Sequence, residues 1–264
     1  MYGRTMNENR PTPSRRIAED LRSDITSGRL QPGWKLPSGR ELARRYGVTQ
    51  NTANRALSIL AAEGLIVVKT GSGTYVRESH PIRRLGPDRY ARHKWQNTIV
   101  TVHADDRPDG ETVEQQGGQT QDVALTEADE EIAAALGIEV GAPVYERARV
   151  MTRDNHPTHT MNSYYRREDV EGTAIVDPRP GIAGRGGGFA VLSERGLEPY
   201  EITEDISARM PTTEEALLLE LPAGEPVVEV RRTTRTREGR PIEYARGVHA
   251  ASRFLWSFTY PIPD

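Results

Sequence analysis

Apolar side chains at Ile17, Leu21 and Ile25 recur every four residues up to Gly28, which predicts an amphipathic helix closed by a glycine. A second helix is predicted to start at Ser38 or Gly39. Ser38 and Glu41 have the spacing of a capping box, and Gly47, after Tyr46, gives the chain a way out of the helix in the left-handed region. Val48 fills the turn. Thr49 caps a third helix reaching about Glu63, whose Ala53, Ala56, Leu57 and Leu60 form a buried stripe and whose Gln50, Asn51, Asn54 and Arg55 form a polar edge. The period then changes. Residues 65–69 and 74–76 read as two strands joined through Thr70, Gly71, Ser72 and Gly73, a hairpin or wing. A phosphate-cradling reading of Gly71-Ser72-Gly73 meets an objection of context, because such loops lead from strand to helix and this one leads from strand to strand.

A short helix, a glycine turn, a second helix with a polar edge and a hairpin imply a winged helix-turn-helix, whose second helix enters a DNA major groove. Arg40, Arg44, Arg45 and Arg55 are then the candidate phosphate or guanine contacts, with Ser38 and the Thr49 and Thr52 hydroxyls near phosphate. The alternative is plain: a helical arginine is commonly a solvated surface residue, and Thr49 can be a cap and nothing more. Charge favours contact. Residues 1–94 hold 18 Lys and Arg against 8 Asp and Glu, while the rest of the chain holds 17 against 30, so the net charge of −3 conceals a basic head and an acidic body.

The second half carries an internal repeat. Residues 133–150 are echoed by 216–233, and the register continues through Pro157 and Pro241 at the turns of two hairpins. Each copy reads as a short helix, a Gly-x-Pro turn and two strands, with helices expected over residues 126–136 and 212–219 and a further one over 190–195. The expected fold class is a two-domain α/β protein, an N-terminal winged helix-turn-helix followed by a C-terminal antiparallel sheet with helices on one face. Residues 1–13 are expected to fray, 14–78 to form the DNA-binding domain, 79–96 to be a proline-rich extended linker, and 97–264 to form the second domain.

Composition narrows the chemistry. The 264 residues contain no cysteine, which excludes disulfides and thiolate metal sites. No signal-peptide core and no run of about eighteen apolar residues is found, so a cytoplasmic protein is expected. Of the six histidines only His156 and His159 are close, in an expected turn, and no HExxH or Ser-His-Asp pattern occurs. Residues 184–188, Gly-Arg-Gly-Gly-Gly, read as a mobile loop. No enzyme, cofactor or metal is expected.

Residues 14–78 resemble the winged-helix head of the GntR family of bacterial transcription regulators, through Leu30-Gln31-Pro32-Gly33, Leu36-Pro37-Ser38-Gly39-Arg40-Glu41-Leu42-Ala43, Gly47-Val48-Thr49-Gln50-Asn51-Thr52, Glu63-Gly64-Leu65-Ile66 and Gly71-Ser72-Gly73-Thr74-Tyr75-Val76. The family usually has Glu where Gly39 stands and commonly has guanine-reading arginines where Gln50 and Asn54 stand. Gln and Asn pair with adenine, so a half-site richer in A·T is expected. The linker is similar to those of plasmid-transfer regulators. The second half resembles the HutC-type branch, with its chorismate-lyase-like (UTRA) effector domain, through Gly141-Ala142-Pro143-Val144, Ser163-Tyr164, Arg209-Met210-Pro211-Thr212, Gly224-Glu225-Pro226-Val227 and Gly239-Arg240-Pro241-Ile242-Glu243-Tyr244.

That resemblance implies an anionic small-molecule effector gripped by Arg147, Arg149 and Glu243, with Arg246 and Tyr164 nearby. The rival reading is that Arg147, Arg149, Arg231 and Arg232 line a solvated sheet face. The expected protein is a homodimeric repressor on a palindromic DNA operator, released by effector. A constitutive repressor without effector, an activator and a chorismate-lyase-like enzyme are the alternatives.

Overall fold

Each helix of the amino-terminal unit begins and ends where its sequence supplies a cap. The computed structural model describes residues 11–69, 71–78, 82–95, 118–178 and 187–262. Helix α1 (Pro13–Thr26) has proline in its first turn, where the missing N–H costs nothing, and the chain leaves it through Gly28 at φ 77°. Fraying of residues 1–13 concerns mostly residues outside the described ones; Pro13 itself is helical. Helix α2 (Gly39–Tyr46) carries the expected capping box, with Ser38 N donating to Glu41 Oε2 at 2.7 Å and Glu41 N donating to Ser38 Oγ at 3.3 Å. Gly47, at φ 64°, ends it. Helix α3 (Gln50–Ala62) is capped by Thr49.

Strands β1 (Ile66–Lys69) and β2 (Gly73–Val76) pair antiparallel as the wing, and Lys35 bridges to Tyr75 as a short third rung. One core unites Ile17, Leu21, Leu36, Leu42, Ala53, Leu57, Leu60, Ile66 and Val76, so α3 is held from behind by α1, α2 and the wing. At about 1.5–3 kcal/mol for each large side chain buried, this cluster supplies the rigidity that a reading helix needs.

The second unit begins at Ile82. Its six-stranded antiparallel sheet has the order β4-β5-β6-β9-β8-β7, from β4 (Gln119–Glu127), β5 (Pro143–Arg153), β6 (His156–Arg166), β7 (Glu201–Arg209), β8 (Val227–Arg235) and β9 (Pro241–Ala250). The order is symmetric about its centre. Each repeat is therefore strand, helix, strand, strand, with α4 (Glu130–Leu136) and α7 (Thr213–Leu218) in equivalent places. A β-bulge falls at Met151/Thr152 in one hairpin and at Thr234/Arg235 in the other. Helices α5 (Arg167–Val170) and α6 (Gly187–Glu194) belong to a core with Tyr165 and Ile242, whereas α4 packs with Tyr164 and Tyr244.

Four expectations need correction. The helix expected over 126–136 begins only after the Asp129 cap, because Thr126 and Glu127 pair with Val144 and Pro143 in the edge strand. His156 and His159 lie on β6; the turn is Asp154-Asn155 alone, both at positive φ (51° and 62°), as a two-residue hairpin turn demands. Gly187 and Gly188 open α6, while residues 184–186 of the expected loop lie outside the described ones.

The fourth correction concerns the linker. Within residues 79–96, β3 (Arg83–Leu85) pairs parallel with β10 (Phe254–Trp256), and two 3-10 turns, Pro87–Tyr90 and Arg92–Lys94, follow. Trp95 is 3% exposed, packs edge-on to Phe189 at 5.9 Å, and donates its Nε1 to Tyr90 O at 3.1 Å. Arg89 and the Tyr90 hydroxyl both bond Glu204. Leu85, Tyr90 and Trp95 tie this stretch to the second unit, so it is part of that unit and not a free tether. Among the described residues no helix is long and apolar enough to cross a membrane, and no group of three or more metal-binding side chains occurs.

Candidate nucleic-acid interface and effector site

Charge in the first unit is sorted by position. Arg22 is neutralised by Glu19 and Glu63, and Arg29 by Asp24 at 2.7 Å. Arg40, Arg44 and Arg45 on α2 and Arg55 on α3 are exposed, and none has an ion-pair partner among the described residues. Gln50, Asn51 and Asn54 are exposed on the same helix as Arg55, while the Thr49 and Thr52 hydroxyls stand 2.9 Å apart at its start. Unpaired cations beside an exposed carboxamide edge present what a duplex requires, positive charge for phosphate and donor-acceptor pairs for bases.

The wing adds residues that motif reading passed over. Lys35 and Lys69 lie over the Tyr75 ring at 5.7 and 5.2 Å, and Tyr75 OH is 2.7 Å from Ser72 Oγ. The Ser72 hydroxyl, with Lys35 and Lys69, holds the Tyr75 phenol below its ordinary range. Two of the three lysines in the chain sit here, a signal that lysine scarcity could have given. Gly71 and Gly73 have φ of 74° and 123°, and a Cβ on Gly73 would stand 2.7 Å from Lys35 Cε. The backbone thus calls for glycine at 73, and any larger residue there would also displace the Lys35 side chain.

In the second unit, strand alternation decides which side chains share a face. Arg147 is opposite Ser163, Ser163 opposite Ala245, and Ala245 opposite Arg232, so these stand together; Arg149 and Glu243, two residues along, share their face. Tyr164 and Arg246 are on the other face, a correction to their expected place beside the arginines. There they line a cavity of about 570 Å³ with Thr120, Asp122, Ala148 and Asn162, to which Gln121 and Arg149 also contribute. Arg246 is neutralised by Asp129 at 2.9 Å and Glu131 at 2.8 Å, which leaves it no free charge to offer an anion.

Glu243, 2% exposed, accepts Arg232 Nη2 at 2.9 and 3.0 Å, Tyr165 OH at 3.0 Å and Thr234 Oγ1 at 3.0 Å. Burial alone would raise its pKa; Arg232 and Arg149 overcome that and hold the carboxyl below its ordinary value. Burial pushes the Tyr165 phenol up to about 12. Arg147, 3% exposed, donates Nε and Nη2 to Gln121 Oε1 at 3.0 and 2.6 Å, and Arg149 Nη2 donates to Ser163 Oγ at 2.6 Å. Neither has a carboxylate within ion-pair distance among the described residues. Burial, with Arg147 alongside, lowers the Arg149 guanidinium from its usual value. Arg231 sits on the opposite face with Glu131 and Glu229, so the four arginines do not form one solvated row.

A winged helix of this build, carried in one chain with a separate sheet domain, defines a DNA-binding transcription regulator. Residues 13–76 match bacterial regulatory proteins of the gntR family, and residues 117–255 match the UTRA domain. The chain is 45% identical over 250 residues to an HTH-type transcriptional regulator of Streptomyces coelicolor, covering 95% of this chain and 93% of that one. It is 27% identical to the HTH-type transcriptional repressor NagR of Bacillus subtilis, over 95% and 97% of the two chains. Identity to the histidine utilization repressor of Pseudomonas putida is 30%, over 90% and 88%. A solved GntR-family transcriptional regulator superposes at a TM-score of 0.59 with 28% identity, covering 95% of this chain and 98% of that one. The chain belongs to the GntR family, in its HutC-type branch with a UTRA domain, and its relatives are regulators, not enzymes.

Proposed function

We propose that the protein is a homodimeric repressor whose paired heads bind a palindromic operator in the cytoplasm and release it when an anionic small molecule occupies the second unit. Gln50, Asn51, Asn54 and Arg55 read base edges; Ser38, Arg40, Arg44, Arg45, Thr49 and Thr52 anchor phosphates, and the Gly71-Ser72-Gly73 tip follows the backbone. The observation that carries the effector reading is that Arg147, buried, and Arg149, half-buried, are two residues apart on one face and have no carboxylate partner among the described residues. A guanidinium pair so placed suits a bidentate phosphate or carboxylate. An effector that binds better to one arrangement of the dimer lowers operator affinity by its differential affinity for the two.

A thermal-shift screen of phosphorylated sugars and carboxylates tests this. A hit at a hundred times its Kd should add about 2.7 kcal/mol of stability, weaken operator binding, and lose its effect in an Arg147→Ala, Arg149→Ala variant. No hit leaves a constitutive repressor, and a hit that survives in that variant rejects the arginine site and places the effector elsewhere.

The wing has its own test. Gly73→Val forces a β-branched residue into a left-handed backbone and against Lys35, a local strain of about 1–3 kcal/mol. Operator affinity should fall at least tenfold in a mobility-shift assay while the second unit melts unchanged; unaltered affinity removes the wing from the interface.

A further inference from the structure

Among the described residues of the first unit, Gly28, Gly33, Gly47, Gly64, Gly71 and Gly73 all have positive φ, and Gly39 does not. Gly39 opens α2, where alanine would form the helix better. The backbone therefore gives no reason for glycine. The neighbouring side chain does. A Cβ at position 39 would stand 3.0 Å from Asn54 Cγ and well inside contact distance of Asn54 Oδ1. Asn54 is exposed, and its carboxamide has no hydrogen-bond partner among the described residues, so no hydrogen bond fixes its direction.

We infer that Gly39 is a specificity-determining residue for operator recognition, acting through the Asn54 carboxamide that occupies the space its missing side chain leaves. The inference rests on the reading of Asn54 as a base contact. A helical side chain has few rotamers, and any Cβ at 39 removes this one. Pairing with adenine N6 and N7 needs the amide donor and acceptor in one plane with the base, so an amide turned to another rotamer loses the pair. Gly39 touches no base itself; it is a positioning residue. The two positions form one reading unit although fourteen other residues separate them in sequence.

The test is a double-mutant cycle in the full chain. Wild type, Gly39→Ala, Asn54→Ala and the double variant are titrated at fixed salt against the duplex that wild type selects from random DNA, against single-base variants of it, and against unrelated duplex. Gly39→Ala and Asn54→Ala should each lose roughly ten- to hundredfold in affinity for the selected duplex, with discrimination lost at the same base pair. The double variant should be no weaker than Asn54→Ala, and binding to unrelated duplex should not move. Far-ultraviolet dichroism and the melting temperature confirm the fold, and Gly39→Ser gives a second variant if alanine disturbs it. Additive losses, or wild-type binding by Gly39→Ala when Asn54→Ala is impaired, overturn the inference alone. Wild-type binding by Asn54→Ala overturns the base-reading role of Asn54 and the inference with it.

Discussion

Raising monovalent salt from 50 to 200 mM should weaken operator binding by about a thousandfold or more. Each head offers Lys35, Arg40, Arg44, Arg45, Arg55 and Lys69 as exposed cations without ion-pair partners among the described residues. A duplex releases nearly one counterion for each phosphate neutralised, so six to ten contacts shared by the two heads of the proposed dimer give a loss of about 10³–10⁵ over that range. The net charge of −3 points the other way, since a uniformly spread negative protein would be repelled by DNA. The local pattern decides, because at 0.15 M salt the acidic body is screened beyond about 8 Å. The slope of log affinity against log salt measures this directly. Arg44→Ala, which removes one contact from each of the two heads, should make the slope about two units shallower, and a flat line in wild type contradicts a DNA-binding head.

Acidification should unfold the second unit well above the pH at which its carboxylates titrate. His159 and His249 stack at 4.6 Å on adjacent strands, closed in by Phe254 at 5.1 and 4.9 Å and, over His249, by Trp256 at 5.3 Å. Burial, then His249, Arg83 and Arg149, holds His159 down to about 2. Burial, then Arg89, Arg83 and Arg232, holds His249 down to about 3. In the unfolded chain both return to about 6.5, so below that pH the unfolded state binds more protons than the folded one. The stability from keeping these rings neutral is complete above pH 6.5 and is lost as pH falls toward the folded values. Each ring contributes a slope of about 1.4 kcal/mol per pH unit, so between pH 6.5 and 4.5 the pair removes about 5 kcal/mol, the scale of a whole domain's stability. Glu243 acts in the same direction but in a lower window, since its folded pKa is depressed below the ordinary carboxylate range. Urea unfolding at pH 7.5, 6 and 5 should show the midpoint falling steeply. A His249→Phe, His159→Phe variant should flatten it, and a wild-type midpoint insensitive to pH sinks this account.

What could be seen in the sequence follows the range of the forces involved. The head was legible because its punctuation is local: Ser38 and Glu41, Gly47 and Thr49 act within one turn of the backbone they satisfy. The edge strands β4 and β7 were not, because most of their side chains are exposed or half-exposed and leave only a faint alternation to read. Leu85, Tyr90 and Trp95 lie in a run rich in proline, glycine and charge, and only distant partners, Trp256 for Leu85 and Phe189 and Glu204 for the other two, bury them. Arg147 and Arg149, two residues apart, could be set on one face from sequence. Placing Tyr164 and Arg246 on the opposite face needed the register across two hairpins. The stacked histidines, ninety positions apart on different strands, left no trace in either repeat.

The shared bulge positions let the two halves of the sheet be overlaid: Arg149 falls on Arg232, and His159 falls on Glu243. In the second half the carboxylate closes on its guanidinium; in the first, an uncharged imidazole takes the carboxylate's station, and Arg149 has no ion-pair partner among the described residues. Duplication thus supplied a finished clasp and an unfinished one on a common scaffold. An acid in one twin and an imidazole in the other is the difference between an internal brace and the guanidinium that the proposed function offers to a charge from outside the chain.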